Sequence, residues 1–240
     1  MNADRALHTA TLLPDGRVMV VGGGGSPGSA ELYDPQNGNW AVTGDLGLTP
    51  YRHTATLLLD GRVLVVSGTK AKLYNPAKGT WSVTGEPDTH RRAHTATLLS
   101  SGNLLVAGAM GAAYYVSEVE LYEPTGGTWR YTSRMSKDRA YHSATRLADG
   151  QVLVAGGSSF GHLRQTEAYN PGTGLWSPRG DLNAARAGHT ATLLPGGEVL
   201  ATGGWPDDGK SVDSAELYDP KSGTWRSVGS MHAARDGHSA

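Results

Sequence analysis

Two side chains with chemistry to offer recur along this 240-residue chain. A histidine followed by Thr or Ser and then Ala stands at His8, His53, His94, His142, His189 and His238, and an arginine stands three residues ahead of it in five of the six places, as Arg5, Arg91, Arg139, Arg186 and Arg235. Repeated imidazoles invite a metal. One per unit, with no carboxylates clustered beside it, is too dispersed for a compact tetrahedral site, so neither metal nor cofactor is expected. A buried His hydrogen-bonded to backbone is expected instead. The arginines suit carboxylate ligands, which a guanidinium fork grips with two parallel hydrogen bonds. Arg5, Arg91, Arg139 and Arg186 are therefore candidate binding residues. A competing structural account rests on Glu31, Glu120, Glu167 and Glu216, which occur in the same repeats as these arginines. The second repeat has Pro50 and Lys72 at the two positions. Arg and Glu are thus lost together, as members of an ion pair would be.

A second set of candidates lies where the units differ. Tyr114, Tyr115, Phe160 and Trp205, mixed with His162, Arg164, Asp207 and Asp208, have the aromatic and charged composition of an interface hot spot. Plugging a channel mouth or covering a sheet edge is the alternative use for such aromatics.

Composition removes several chemistries. There is no cysteine, hence no disulfide, thiolate metal site or cysteine nucleophile. The formal net charge is −1, which gives no electrostatic case for nucleic acid or an anionic membrane, and the apolar runs are strand-length, so no membrane span is expected. No nucleophile elbow, phosphate loop or paired His-Glu metal helix is present. Absence of cysteine suits export and cytosol equally; an extracellular or cell-surface place would suit a piece of a longer bacterial protein.

The elements that must position these residues are repeated. Tyr-x-Pro-x-x-Gly-x-Trp occurs five times, ending at Trp40, Trp81, Trp129, Trp176 and Trp225, in phase with the histidines. Paired small residues close an apolar run between the two marks, at Gly22-Gly23, Ser67-Gly68, Ala107-Gly108, Gly156-Gly157 and Gly203-Gly204. Each unit reads as four short strands. Strand a follows the histidine; Asp-Gly, as at Asp15-Gly16, predicts a two-residue hairpin turn with positive φ angles. Strand b is the apolar run. Strand c ends in Asp-Pro-x-x-Gly, whose proline and glycine preset a second turn. Strand d carries the tryptophan. Thirty-four glycines and the lack of any uninterrupted 3.6-residue period leave almost no helix. A four-stranded sheet cannot bury both its faces alone, so the units must stack, and radial stacking into a propeller hides both.

On these motifs, the glycine doublet followed by a spaced Tyr and Trp, the chain resembles the kelch-repeat propellers and, by extension, the galactose-oxidase central-domain group. The resemblance implies an all-β propeller of kelch-type four-stranded blades, five in this chain, forming one domain over residues 1–240. The blades fall at about 5–49, 50–90, 91–138, 139–185 and 186–234, with 235–240 starting a further repeat. A five-blade ring with a surplus tail and a piece of a larger ring are both open; in a closed five-blade ring, 235–240 would compete with 5–10 for one place. Strand order puts the b–c loops and d–a links on one face, where recognition is expected. In some kelch adaptors the matching arginines grip acidic peptides. The oxidase resemblance implies a Tyr–Cys crosslink that this sequence lacks the cysteine to form. Two functions therefore stand: a non-enzymatic scaffold for protein or glycan partners, and a carbohydrate-active enzyme, an epimerase, mutarotase or oxidase-like protein, with an acid and base at the channel mouth.

Overall fold

The computed structural model describes residues 1–25, 28–111, 114–206 and 209–239. It contains twenty strands and, among the described residues, no helix. The first sheet holds β1 (Thr9–Leu12), β2 (Val18–Val21), β3 (Ala30–Asp34) and β4 (Asn39–Val42), and the second β5 (Thr54–Leu57), β6 (Val63–Ser67), β7 (Lys70–Asn75) and β8 (Thr80–Val83). The third holds β9 (Thr95–Leu98), β10 (Leu104–Met110), β11 (Tyr115–Glu123) and β12 (Thr128–Tyr131). The fourth comprises β13 (Ser143–Arg146), β14 (Val152–Ala155), β15 (Thr166–Asn170) and β16 (Leu175–Arg179), and the fifth β17 (Thr190–Leu193), β18 (Val199–Thr202), β19 (Ala215–Asp219) and β20 (Thr224–Val228). Every sheet is an antiparallel meander with its strands in chain order. The chain is a five-bladed all-β propeller.

The core lies between blades. β6 reads VLVVS because both of its faces are covered: Val63 and Val65 join Met19 and Leu32 of the first blade, while Leu64 and Val66 join Leu104 and Val106 of the third. Strand a of each blade packs on strand a of the next, β1 on β5, β5 on β9, β9 on β13 and β13 on β17. β17 and β1 make no contact of that extent. Leu12, on the face of β1 turned away from the second blade, is accordingly 66% exposed.

Tryptophans seal the junctions. In each blade the Trp sits across strand from the Tyr of strand c, with ring centroids 5.0 to 5.2 Å apart. From the second blade onward its indole N–H reaches back: Trp81 to Thr43 Oγ1, Trp129 to the Gly85 carbonyl, Trp176 to the Ser133 carbonyl and Trp225 to Thr166 Oγ1.

The doublet glycines answer two close approaches. A Cβ on Gly156 would lie 2.5 Å from the Arg186 carbonyl of the next blade, and one on Gly157 2.8 Å from the Ala140 carbonyl of its own. Gly68 and Gly108, both at φ 61°, share the conformation of Gly22 and Gly156, so they are first members of the doublet, and Thr69 and Ala109 stand in the second place.

The a–b turn differs from the sequence expectation. Only its glycine has positive φ: Gly16 N–H donates to the Leu13 carbonyl and Leu13 N–H to the Arg17 carbonyl, giving a turn closed by a left-handed Gly bulge. Asp15 keeps a negative φ because its carboxylate accepts the Arg17 N–H at 3.1 Å, ahead of the glycine that takes the strained position.

Candidate binding face

The repeated arginines are built into the blades. Arg91 donates to Glu120 Oε2 at 2.6 Å and to the carbonyls of Gly108 (3.0 Å) and Glu118 (2.8 Å). Arg139 joins Glu167, Gly156 and Gln165 in the same way, and Arg186 joins Glu216, Gly203 and Ser214. Arg5 bonds Glu31, Gly22 and Ser29. Each guanidinium thus clips the two ends of its own b–c loop, and its glutamate also accepts a backbone N–H from the d–a link: Asn2, Asp88, Ser136 or Asn183. Arg91 and Glu120 are wholly buried. These four guanidiniums therefore turn inward, to partners within their own blade, and not onto an open surface. The second blade needs no clip, since Gly68 and Thr69 alone join β6 to β7. Arg235, whose repeat supplies no glutamate, is exposed.

The histidines tie blades to one another through side-chain hydroxyls. His53 Nε2 lies 3.0 Å from Thr9 Oγ1, and His94, His142 and His189 lie 2.9 Å from Thr54, Thr95 and Ser143 of the preceding blade. His238 meets Thr190 at 3.1 Å, so residues 235–238 dock on the fifth blade, while Arg5 is bound within the first; the two segments do not compete. Burial lowers the pKa of His53 to about 4 and of His189 to about 3, and holds His94 and His142 well below the ordinary value. No group of three metal-ligating side chains exists among the described residues.

The residue before each histidine is left-handed: Leu7, Arg52, Ala93, Tyr141, Gly188 and Gly237 have φ of 50 to 63°. Their peptides form a belt between neighbouring strands a. Ala93 N–H donates to Arg52, Tyr141 to Ala93, Gly188 to Tyr141 and Gly237 to Gly188, each at 2.9 Å to the carbonyl. A non-glycine residue in this conformation costs roughly 1 to 2 kcal/mol. The belt holds it there.

Arg52 and Tyr141 of this belt meet. The Arg52 guanidinium lies 4.6 Å from the Tyr141 ring centre and 5.3 Å from that of Tyr51, while Arg92 lies 5.8 Å from Tyr51. Trp205 stands edge-on to Tyr141 at 5.6 Å and to His162 at 6.4 Å, its ring pressed on Gly188, where a Cβ would collide with it. Among the described residues no carboxylate lies within ion-pair distance of Arg52 or Arg92. Arg52 Nε is buried without a hydrogen-bond partner. Hydrogen bonding to Arg52, then the charge of Arg52 and more weakly that of Arg92, lowers the pKa of the Tyr51 phenol.

Of the sequence candidates, Trp205 and His162 belong to this cluster. Tyr115 and Phe160 form another pair, rings 6.2 Å apart, with Phe160 89% exposed and Tyr114 63% exposed. Arg164 is apart from both and donates to the Leu182 carbonyl at 2.7 Å. Asp207 and Asp208 lie outside the described residues. Tyr51, Arg52, Arg92 and Tyr141 were not singled out by sequence. The signal for Arg52 and Tyr141 is the position before the repeat histidine, where Leu, Arg, Ala, Tyr and Gly alternate in otherwise uniform units.

Blades one and two, with Arg92 of the third, line a cleft of about 600 Å³ on this face, with Tyr51, His90, Lys70, Thr49 and Asp45 among its walls. It opens because the second blade has no b–c loop to fill it.

With this geometry in hand, the family model for the kelch motif matches residues 185–232, the fifth repeat, whose glycine doublet, Tyr218 and Trp225 it spans. No curated protein matches the chain. Five four-stranded sheets of this pattern and that motif make the chain a kelch-repeat β-propeller. A propeller of this kind supports a generic binding scaffold.

Proposed function

We propose that the protein is a non-enzymatic recognition scaffold that takes up a protein or glycan partner on the face carrying the b–c loops. The observation that supports this is the Tyr51–Arg52–Arg92–Tyr141 cluster, two guanidiniums with no carboxylate partner among the described residues, held by aromatic rings at the mouth of the blades. Such groups are preorganised and lose little freedom on binding. The strongly lowered histidine pKa values belong to blade junctions, where they serve assembly. The opposite face consists of short, regular turns.

The test is an array of immobilised glycans and peptides probed with wild type, Arg52→Ala/Arg92→Ala and Lys78→Ala, the last on the turn face. Signals lost only in the double variant, at unchanged melting temperature, are expected. Signals surviving in it but lost in Lys78→Ala would move the working side to the other face.

A further inference from the structure

The cleft between the first two blades differs in chemistry from the aromatic cluster beside it. Thr49, Ser67 and Thr69 bring hydroxyls, and Arg92, Lys70 and His90 bring cationic or titratable nitrogens. Asp45 is the one carboxylate of the lining and accepts the Gly47 N–H at 2.8 Å; Lys70 is paired with Glu86 at 2.8 Å. Leu48 and Tyr51 are the large apolar side chains among the described lining residues. His90 Nδ1 is buried with no hydrogen-bond partner among the described residues.

This lining suits one kind of guest. A peptide brings apolar side chains that need apolar walls, whereas a saccharide brings hydroxyls that pair with small hydroxyls, carboxylate and backbone. A neutral sugar leaves the Arg92 fork unused. A sugar acid satisfies it, with two hydrogen bonds to one planar group. The volume of about 600 Å³ lies in the range of small-ligand sites and admits a short oligosaccharide, not a folded domain. We infer that the cleft between blades one and two binds a uronic-acid-bearing glycan, with Arg92 on the carboxylate and Thr49, Ser67 and Thr69 on ring hydroxyls. The inference rests on the proposal that this face is the working side, and names the ligand class for one part of it.

Titration calorimetry of the intact chain with trigalacturonate, neutral galactotriose and hexaglutamate tests it. Trigalacturonate is expected to bind saturably and more weakly as salt is added, with affinity falling roughly tenfold in Arg92→Gln, the loss of one charge-assisted contact. Lys78→Ala, on the turn face and outside the cleft, leaves it unchanged. Arg92 is exposed, so the variant folds, which its melting temperature checks. Equal binding of galactotriose, or an unaffected Arg92→Gln, overturns the role of the carboxylate. Binding of hexaglutamate with none of trigalacturonate overturns the glycan assignment while the loop face stands as the working side. No binding of trigalacturonate at millimolar concentration overturns the inference outright, and the array then judges the face independently.

Discussion

Thr54 Oγ1 lies 2.9 Å from His94 Nε2, across the junction of the second and third blades. The threonine itself follows His53, which makes the same bond one blade earlier, so the His-Thr dipeptide is at once acceptor of one neighbour and link to the next. His94→Ala removes a buried ring and its bond and should cost about 2 to 4 kcal/mol of unfolding free energy. Thr54→Val keeps the volume, leaves the imidazole unpaired and should cost about 1 to 2 kcal/mol. Urea denaturation of both singles and the double gives the coupling; purely additive losses would show that the bond is incidental.

Acid should begin to loosen the propeller above the range in which carboxylates ordinarily take up protons. The unfolded chain protonates its histidines near pH 6.5, whereas folded His53 does so at about 4 and His189 at about 3, with His94 and His142 also well below. Folded values are depressed, so the stability is fully present above pH 6.5 and is lost as pH falls towards 4. Each such histidine contributes a slope of about 1.4 kcal/mol per pH unit in that window. Melting temperature measured from pH 8 to pH 4 checks the sign; a profile flat until pH 4.5 would contradict it.

The buried clip makes its own demand. Glu167→Gln leaves the Arg139 guanidinium buried without a counter-charge and should cost about 3 to 5 kcal/mol, while Arg139→Met/Glu167→Met, which removes both charges, should recover a large part. Denaturation midpoints of the two variants decide it. A double variant worse than the single would show that the carbonyl bonds of Arg139 dominate.

The tryptophans can be weighed in the same way. Trp129 packs against the cluster that holds Leu58, Leu73 and Tyr122 and bonds the Gly85 carbonyl at 2.8 Å. Trp129→Ala should cost about 3 to 5 kcal/mol. An unchanged midpoint would mean that the indole does not wedge the blades apart.

Gly188→Ala should act on the face and not on the ring. A methyl there overlaps the Trp205 indole, which must swing off Tyr141. Tryptophan emission should shift to the red, with the belt bond from Gly188 to Tyr141 retained; an unaltered spectrum would place the indole elsewhere in solution.

Repetition made the fold legible. The in-phase His and Tyr-Trp marks predict strand number, order and the stacking of blades, because the same burial problem is solved five times. The joint absence of Arg and Glu at Pro50 and Lys72 points to an ion pair inside or between blades, and the structure places it inside. What stayed hidden was relational. Which hydroxyl a histidine meets depends on how one blade sits on another. That Asp15 spares itself a positive φ depends on a bond to Arg17 two residues on. The cluster of Arg52, Tyr141 and Arg92 joins three repeats that no local pattern brings together. Its left-handed residues break the rule that such φ belong to glycine, a cost visible only in the backbone.

The second blade has given up its clip, its loop and half of its glycine doublet, yet its His53 and His94 junctions are as well formed as any other. Cohesion and recognition are thus written in separate letters of the repeat. A lineage that duplicates this unit inherits the adhesive already working, and remains at liberty to redraft the exposed edge of each copy without renegotiating its neighbours.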